Sequence, residues 1–234
     1  LDQLLKNSSN VPRDLLEKVV DNLSQLEPET LKKLIKNLDT LPDDLKKKAV
    51  KDMIKNLAQF DSNVQKDLVK ELLGNPDLHE DQEQYEKTVL DLIENLNNAS
   101  DDFKKDVLKN IAKNINNLSK ETKKQVMKEV FNNLTNSSDE TREEVVKQLL
   151  KKMGKSELEE WIKNSDMSDE FKQKMLADIN KLMENDDNLL DSDDEAELEG
   201  LTGEARAIRR KQIIDKRKEQ INEMDRKHEE RNLK

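Results

Sequence analysis

The side chains able to do chemistry in this chain are few and far apart. Two histidines occur: His79 within Leu78-His79-Glu80-Asp81, and His228 among charged residues. Neither has a second histidine at helical spacing, so no zinc-protease pattern exists. With no cysteine in 234 residues, thiol nucleophiles, disulfides and cysteine-held metals are excluded. The four glycines form no phosphate-cradling loop. Carboxylates are abundant, but a catalytic pair needs contrasting surroundings that split two pKa values. Here Asp and Glu read as helix caps and solvated faces. The acidic run from Asp186-Asp187 through Asp191 to Glu195 lacks the central glycine and ligand spacing of a calcium loop. No enzyme, cofactor, metal site or small-molecule substrate is expected.

Two features remain as candidates. Ser192 is followed by Asp193, Asp194 and Glu195, the pattern read by kinases with basic substrate grooves, and is a candidate phosphorylation site. The second is a basic stretch: Arg206, Arg209, Arg210, Lys211, Lys216, Arg217 and Lys218, with Ile214 and Ile221 seven apart. It is a candidate partner-binding face for an acidic protein surface, such as a cytoskeletal filament. The blander expectation is that these cations pair with the chain's own acidic residues. No aromatic residue interleaves them, and the net charge is −10, which together argue against nucleic acid.

The elements that carry these residues are set by a repeating pattern. Ser100, Ser119 and Ser138 are 19 residues apart. At fixed offsets Val107/Leu108 and Ile111/Ala112 become Val126/Met127 and Val130/Phe131, then Val145/Val146 and Leu149/Leu150. A fixed period with fixed apolar offsets is the signature of stacked helical repeats. In the stretch from Ser100, the apolar positions Phe103, Val107, Leu108, Ile111, Ala112, Ile115 and Leu118 cover about half a helix circumference at 100° per residue. Leu45 to Phe60 and Val64 to Leu73 fit the same frame. A polar insertion, Asn75 to Gln84, interrupts it. Gly154 loosens it, before Ser168-Asp169-Glu170-Phe171 restores the capping pattern. Trp161 is expected in the core, with a partner anchor as its alternative.

Composition agrees with a thin, extended core. Only 33% of residues are apolar and 40% are charged, against about 45–50% and about 25% in typical globular chains. No apolar run approaches the ~20 residues that span a bilayer. Asn-x-Ser/Thr triplets, such as those at Asn7, Asn98, Asn117, Asn133 and Asn136, follow from composition rather than glycosylation.

The expected architecture is all-α. Residues 1–183 form an α-solenoid of short helical repeats with a period of about 19 residues. Residues 184–201 form an acidic linker, with nine acidic and no basic residues. Residues 202–234 form a long charged helix, about 45 Å at 1.5 Å per residue, that leaves the solenoid. Leu1 to Asn7 aligns with Leu31 to Asn37, so the chain is expected to start inside a repeat of a longer array. The expected function is a non-enzymatic structural scaffold in a larger multiprotein assembly, cytoskeletal or axonemal, in the cytoplasm. The alternative is a soluble peptide-binding adaptor regulated through its acidic linker.

Overall fold

The computed structural model describes residues 11–234 and is all-α, with no strand among the described residues. The expected opening repeat around Leu4 and Leu5 lies outside them. The helices are α1 (Arg13–Asp21), α2 (Pro28–Lys36), α3 (Asp43–Lys55), α4 (Ser62–Gly74), α5 (Gln82–Glu94), α6 (Asp101–Lys113), α7 (Lys120–Thr135), α8 (Asp139–Lys163), α9 (Asp169–Glu184), α10 (Ser192–Leu198) and α11 (Gly203–Asn232). The chain divides into two compact units between Thr122 and Lys123, within α7.

In the first unit one device ends helix after helix. Asn22, Asn37, Asn56, Asn95 and Asn114 each occupy a C-cap, with φ between −118° and −93°. Their side-chain amides donate back to the carbonyls of Lys18, Lys33, Asp52, Asp91 and Asn110 at 2.7–2.8 Å. Those carbonyls lie in the last turn, where intrahelical donors run out. After four of these caps the chain makes a single 3-10 turn, at Leu23–Gln25, Leu38–Thr40, Leu57–Gln59 and Ile115–Asn117. It then extends through Leu26, Leu41, Phe60 or Leu118. The expected single helix from Ser100 to Leu118 is therefore two elements. Asn114 stops α6, while Ile115 is buried from the 3-10 turn.

The other helix ends are set equally locally. Ser100 accepts from the Phe103 N–H and Asp61 from the Asn63 N–H, each covering one orphan donor of a first turn. Packing skips a neighbour: α1 lies against α3, α2 against α4, and α4 against α6. Leu34, Ile35, Ala49, Met53, Leu68 and Leu72 join one buried cluster along that row.

The polar insertion has a packing role. His79 is only 7% exposed. Its Nε2 lies 2.9 Å from the Leu72 carbonyl, and the Tyr85 hydroxyl donates to the Leu73 carbonyl at 2.7 Å. The two rings meet edge to face at 5.3 Å. Together they satisfy two carbonyls at the end of α4 that would otherwise be buried without donors.

In the second unit, Met127, Val130, Phe131, Val145, Val146 and Leu149 are buried. α8 is in fact two helical segments joined at Gly154, whose φ of +80° and ψ of 175° suit only glycine. α9, capped by Ser168, packs along α8. A buried fork joins them: Arg142 Nε reaches Asp178 Oδ2 at 2.6 Å and its Nη2 reaches Asp178 Oδ1 at 3.4 Å, while its Nη1 meets the exposed Asp139 of α8 itself at 2.6 Å. Trp161 is half-buried.

Two expectations need correction here. Residues 184–201 are not a bare solvated linker, because they form a 3-10 turn (Asp186–Leu189) and then α10, with Leu189, Leu190 and Leu198 buried. Nor does the terminal helix leave the body: all 30 residues of α11 form one helix that packs against α8. Three of its apolar side chains, Ile213, Ile214 and Ile221, are buried along one stripe.

The register is open to test by substitution. Val130 is fully buried and Lys128 is exposed. Val130→Asp is expected to cost about 3 kcal/mol or more, and Lys128→Asp under about 0.5 kcal/mol, in circular-dichroism melts. Equal losses would contradict this packing.

Acid should loosen the end of α4. Burial pushes the His79 imidazole down, and its bond to the Leu72 carbonyl offsets this only in part. The folded chain therefore holds it neutral, whereas the unfolded chain protonates it near pH 6.5. Its contribution is complete above that pH and is lost as pH falls through it. Hydrogen exchange at Leu72 and Leu73 should quicken between about pH 7 and 5, after correction for intrinsic rates. His79→Gln should flatten that dependence, and a wild-type profile already as flat would refute it.

Candidate functional site

The richest polar constellation lies where α8, α10 and α11 meet in the second unit. It begins with Asp191, the N-cap of α10. Asp191 Oδ1 accepts from the N–H groups of Asp193 and Asp194 at 3.0 Å, and Asp194 Oδ2 accepts from the Asp191 N–H at 3.0 Å. This reciprocal capping box turns both carboxylates inward. From α8, Gln148 Nε2 donates to Asp191 Oδ2 at 2.9 Å, and the Lys151 ammonium donates to the same oxygen. Lys151 also approaches Asp194 at 3.4 Å. From α11, Arg217 Nη2 donates to Asp194 Oδ1 at 2.8 Å. Lys147 adds a bond of 2.9 Å to the Leu190 carbonyl.

Lys151, Asp191 and Asp194 are all buried. Burial pushes the Lys151 ammonium down, and the carboxylates beside it only partly restore it. Burial likewise pushes the Asp191 carboxyl up, but Lys151, Gln148 and the Asp194 N–H outweigh that and hold it well below the usual carboxylate range. A buried pair of this kind tolerates loss of neither partner, because the survivor is left charged and unpaired, at about 3–5 kcal/mol.

Around this centre lies a rim of exposed pairs. Arg206 meets Glu195 at 2.9 Å, Arg210 meets Asp187 at 3.1 Å and Lys218 meets Asp186 at 2.8 Å, while Arg209 pairs with Glu197. Arg206 Nη1 also donates to the Leu198 carbonyl at 3.1 Å. Exposed pairs contribute about 0–1 kcal/mol each. The rim therefore sets orientation, and the buried pair with the isoleucines sets strength.

α11 has a second anchor at the Gly154 kink. There Asp225 Oδ1 accepts from the Ser156 N–H at 2.9 Å, capping the start of the second α8 segment from 69 residues away. Further along, His228 Nε2 lies 2.6 Å from Glu160 Oε2.

The structure thus brings Arg206, Arg209, Arg210, Arg217 and Lys218 together on the acidic segment of the same chain. Ile214 and Ile221 are buried within the fold, Ile214 beside Leu190 and Leu198. Lys211 and Lys216 are exposed. Ser192 is exposed as the first residue of α10. Reasoning from sequence missed Gln148, Lys151 and Asp225, and marked Gly154 only as a break in the repeat. A lysine directly after Leu149-Leu150, and a glycine between two apolar helical stretches, were the available signals.

No protein-family model, curated protein or solved structure matches this chain. No helix of the described residues is long and apolar enough to cross a membrane.

Gly154 is expected to govern the docking of α11. A Cβ there would lie 2.7 Å from Asp225 Oδ1 and 3.0 Å from Met224 Cβ. Gly154→Ala should cost about 1–3 kcal/mol from backbone conformation alone, lower the melting temperature of the second unit and expose α11 to trypsin. An unchanged digestion rate would show that docking does not need the kink.

Proposed function

We propose that this chain is a segment of a helical-repeat solenoid and serves as a non-enzymatic scaffold within a multiprotein assembly. The observation that carries this reading is the shared helix-ending device. The capping asparagines Asn37, Asn56, Asn95 and Asn114 are separated by 19, 39 and 19 residues. Between such caps, helices pack on their next-but-one neighbours. Units of that kind add along one direction and offer long surfaces rather than enclosed pockets.

The partner would be a protein. The exposed Lys211 and Lys216 extend the cationic face of α11 beyond its internal pairs. An acidic filament surface, as in a cytoskeletal or axonemal assembly, would suit that face. Competition with Asp186, Asp187, Glu195 and Glu197 for the same arginines and lysine would make such binding salt-dependent over about 8 Å at physiological ionic strength. The alternative, a peptide-binding adaptor regulated through its acidic segment, draws support from α10, which already lies on α11 as an acidic peptide would.

The test is crosslinking mass spectrometry on the native assembly, with wild type and a Lys211→Glu/Lys216→Glu variant. We expect the chain in a complex larger than itself, with crosslinks from its lysines to defined neighbours. The double variant, which cannot itself crosslink at positions 211 and 216, should also lose those made by Lys218, Lys227 and Lys234 while its melting is unchanged. A chain that runs alone in its native extract would sink the scaffold reading. Full retention of the crosslinks from those three lysines would move the interface onto the repeats and favour the adaptor.

A further inference from the structure

We propose that Ser192 is a phosphoacceptor for kinases that read carboxylates immediately C-terminal to the acceptor, and that docking of α10 on α11 restrains its modification. Ser-acid-acid triplets occur at Ser100, Ser138, Ser168 and Ser192. At the first three the hydroxyl oxygen is a helix N-cap, accepting from the N–H of Phe103, Thr141 and Phe171. Capping explains why those serines precede acidic residues. It does not explain Ser192, because Asp191 is the cap of α10 and Ser192 is the residue after it, exposed. Ser192 also differs in carrying a third acid, Glu195, where the other three have Phe103, Thr141 and Phe171. Ser156, which precedes Glu157 and Glu159, is half-buried inside α8.

The restraint follows from where those carboxylates point. Asp193 is exposed, but Asp194 is tied to Arg217 and Lys151, and Glu195 to Arg206. A basic kinase groove must displace these cations to read the same charges. The acceptor must also leave a helix whose last turn is buried through Leu198. In the step itself the Ser192 Oγ–phosphorus bond forms as the bond from the γ-phosphorus of ATP to its bridging oxygen breaks. ADP leaves with that electron pair, and the hydroxyl proton passes to the kinase's carboxylate base.

The experiment incubates the full chain with ATP and an acid-directed serine kinase and maps phosphate by mass spectrometry. Wild type should gain phosphate slowly at Ser192, and Ser192→Ala should lose it. Arg206→Gln/Arg209→Gln removes two exposed pairs and the Arg206 bond to the Leu198 carbonyl, leaving the buried Lys151–Asp191 pair in place, and circular dichroism checks that the fold is kept. Its initial rate should rise about 3- to 10-fold as α10 opens more readily. Phosphate confined to Ser100, Ser138 or Ser168, or none in either chain, would overturn the assignment. Equal rates in wild type and the double variant would overturn the restraint.

Discussion

Scarcity of apolar surface is the constraint from which the rest of this structure follows. With 33% apolar and 40% charged residues, the chain cannot enclose one thick core. Each short helix instead carries a stripe that is useless until another helix covers it. Packing on the next-but-one helix lets one stripe serve more than one contact, as Leu68 and Leu72 of α4 do within the shared cluster. Sharing demands that helices stop at the right place, and that is the work of the asparagine caps. A side-chain amide that closes the last turn and leaves the chain poised for a 3-10 turn fixes where the next stripe begins.

The second unit solves the same shortage with charge. α11 offers only three buried isoleucines over 30 residues, too little to hold a helix of that length by apolar contact alone. The balance comes from the acidic segment, which is held between α8 and α11. Its inward carboxylates are fully hydrogen-bonded, so burial does not leave an orphan. Its outward ones meet arginines in water and contribute little individually. The opposed charges of residues 184–201 and 202–234, which as a sequence suggest a linker and a projecting arm, pair with one another in place.

The all-α class was legible because the 100° apolar stripe survives in Val107, Leu108 and Ile111, all buried. Boundaries were less so. Ile115 and Leu118 keep the helical spacing through a 3-10 turn, since both conformations bring residues three or four apart to one side. Nothing in the immediate neighbourhood of Asn114 separates a mid-helix asparagine from a terminating one. His79 was read as part of a polar insertion, and its burial depends on α4 ending beside Tyr85. The docking of α11 was the least legible feature. It rests on a carboxylate, Asp225, meeting a gap left by one missing methyl group at Gly154, and no local pattern encodes a partner 69 residues away.

That distance also has a meaning in time. In the first unit the caps and skip-one contacts are made by segments close in sequence, so its helices can settle while the chain is still emerging from the ribosome. The second segment of α8 cannot. The N–H of Ser156 finds its carboxylate, Asp225, only 69 residues further along the chain. The contact that joins the Gly154 kink to α11 is thus completed only once Asp225 has been made.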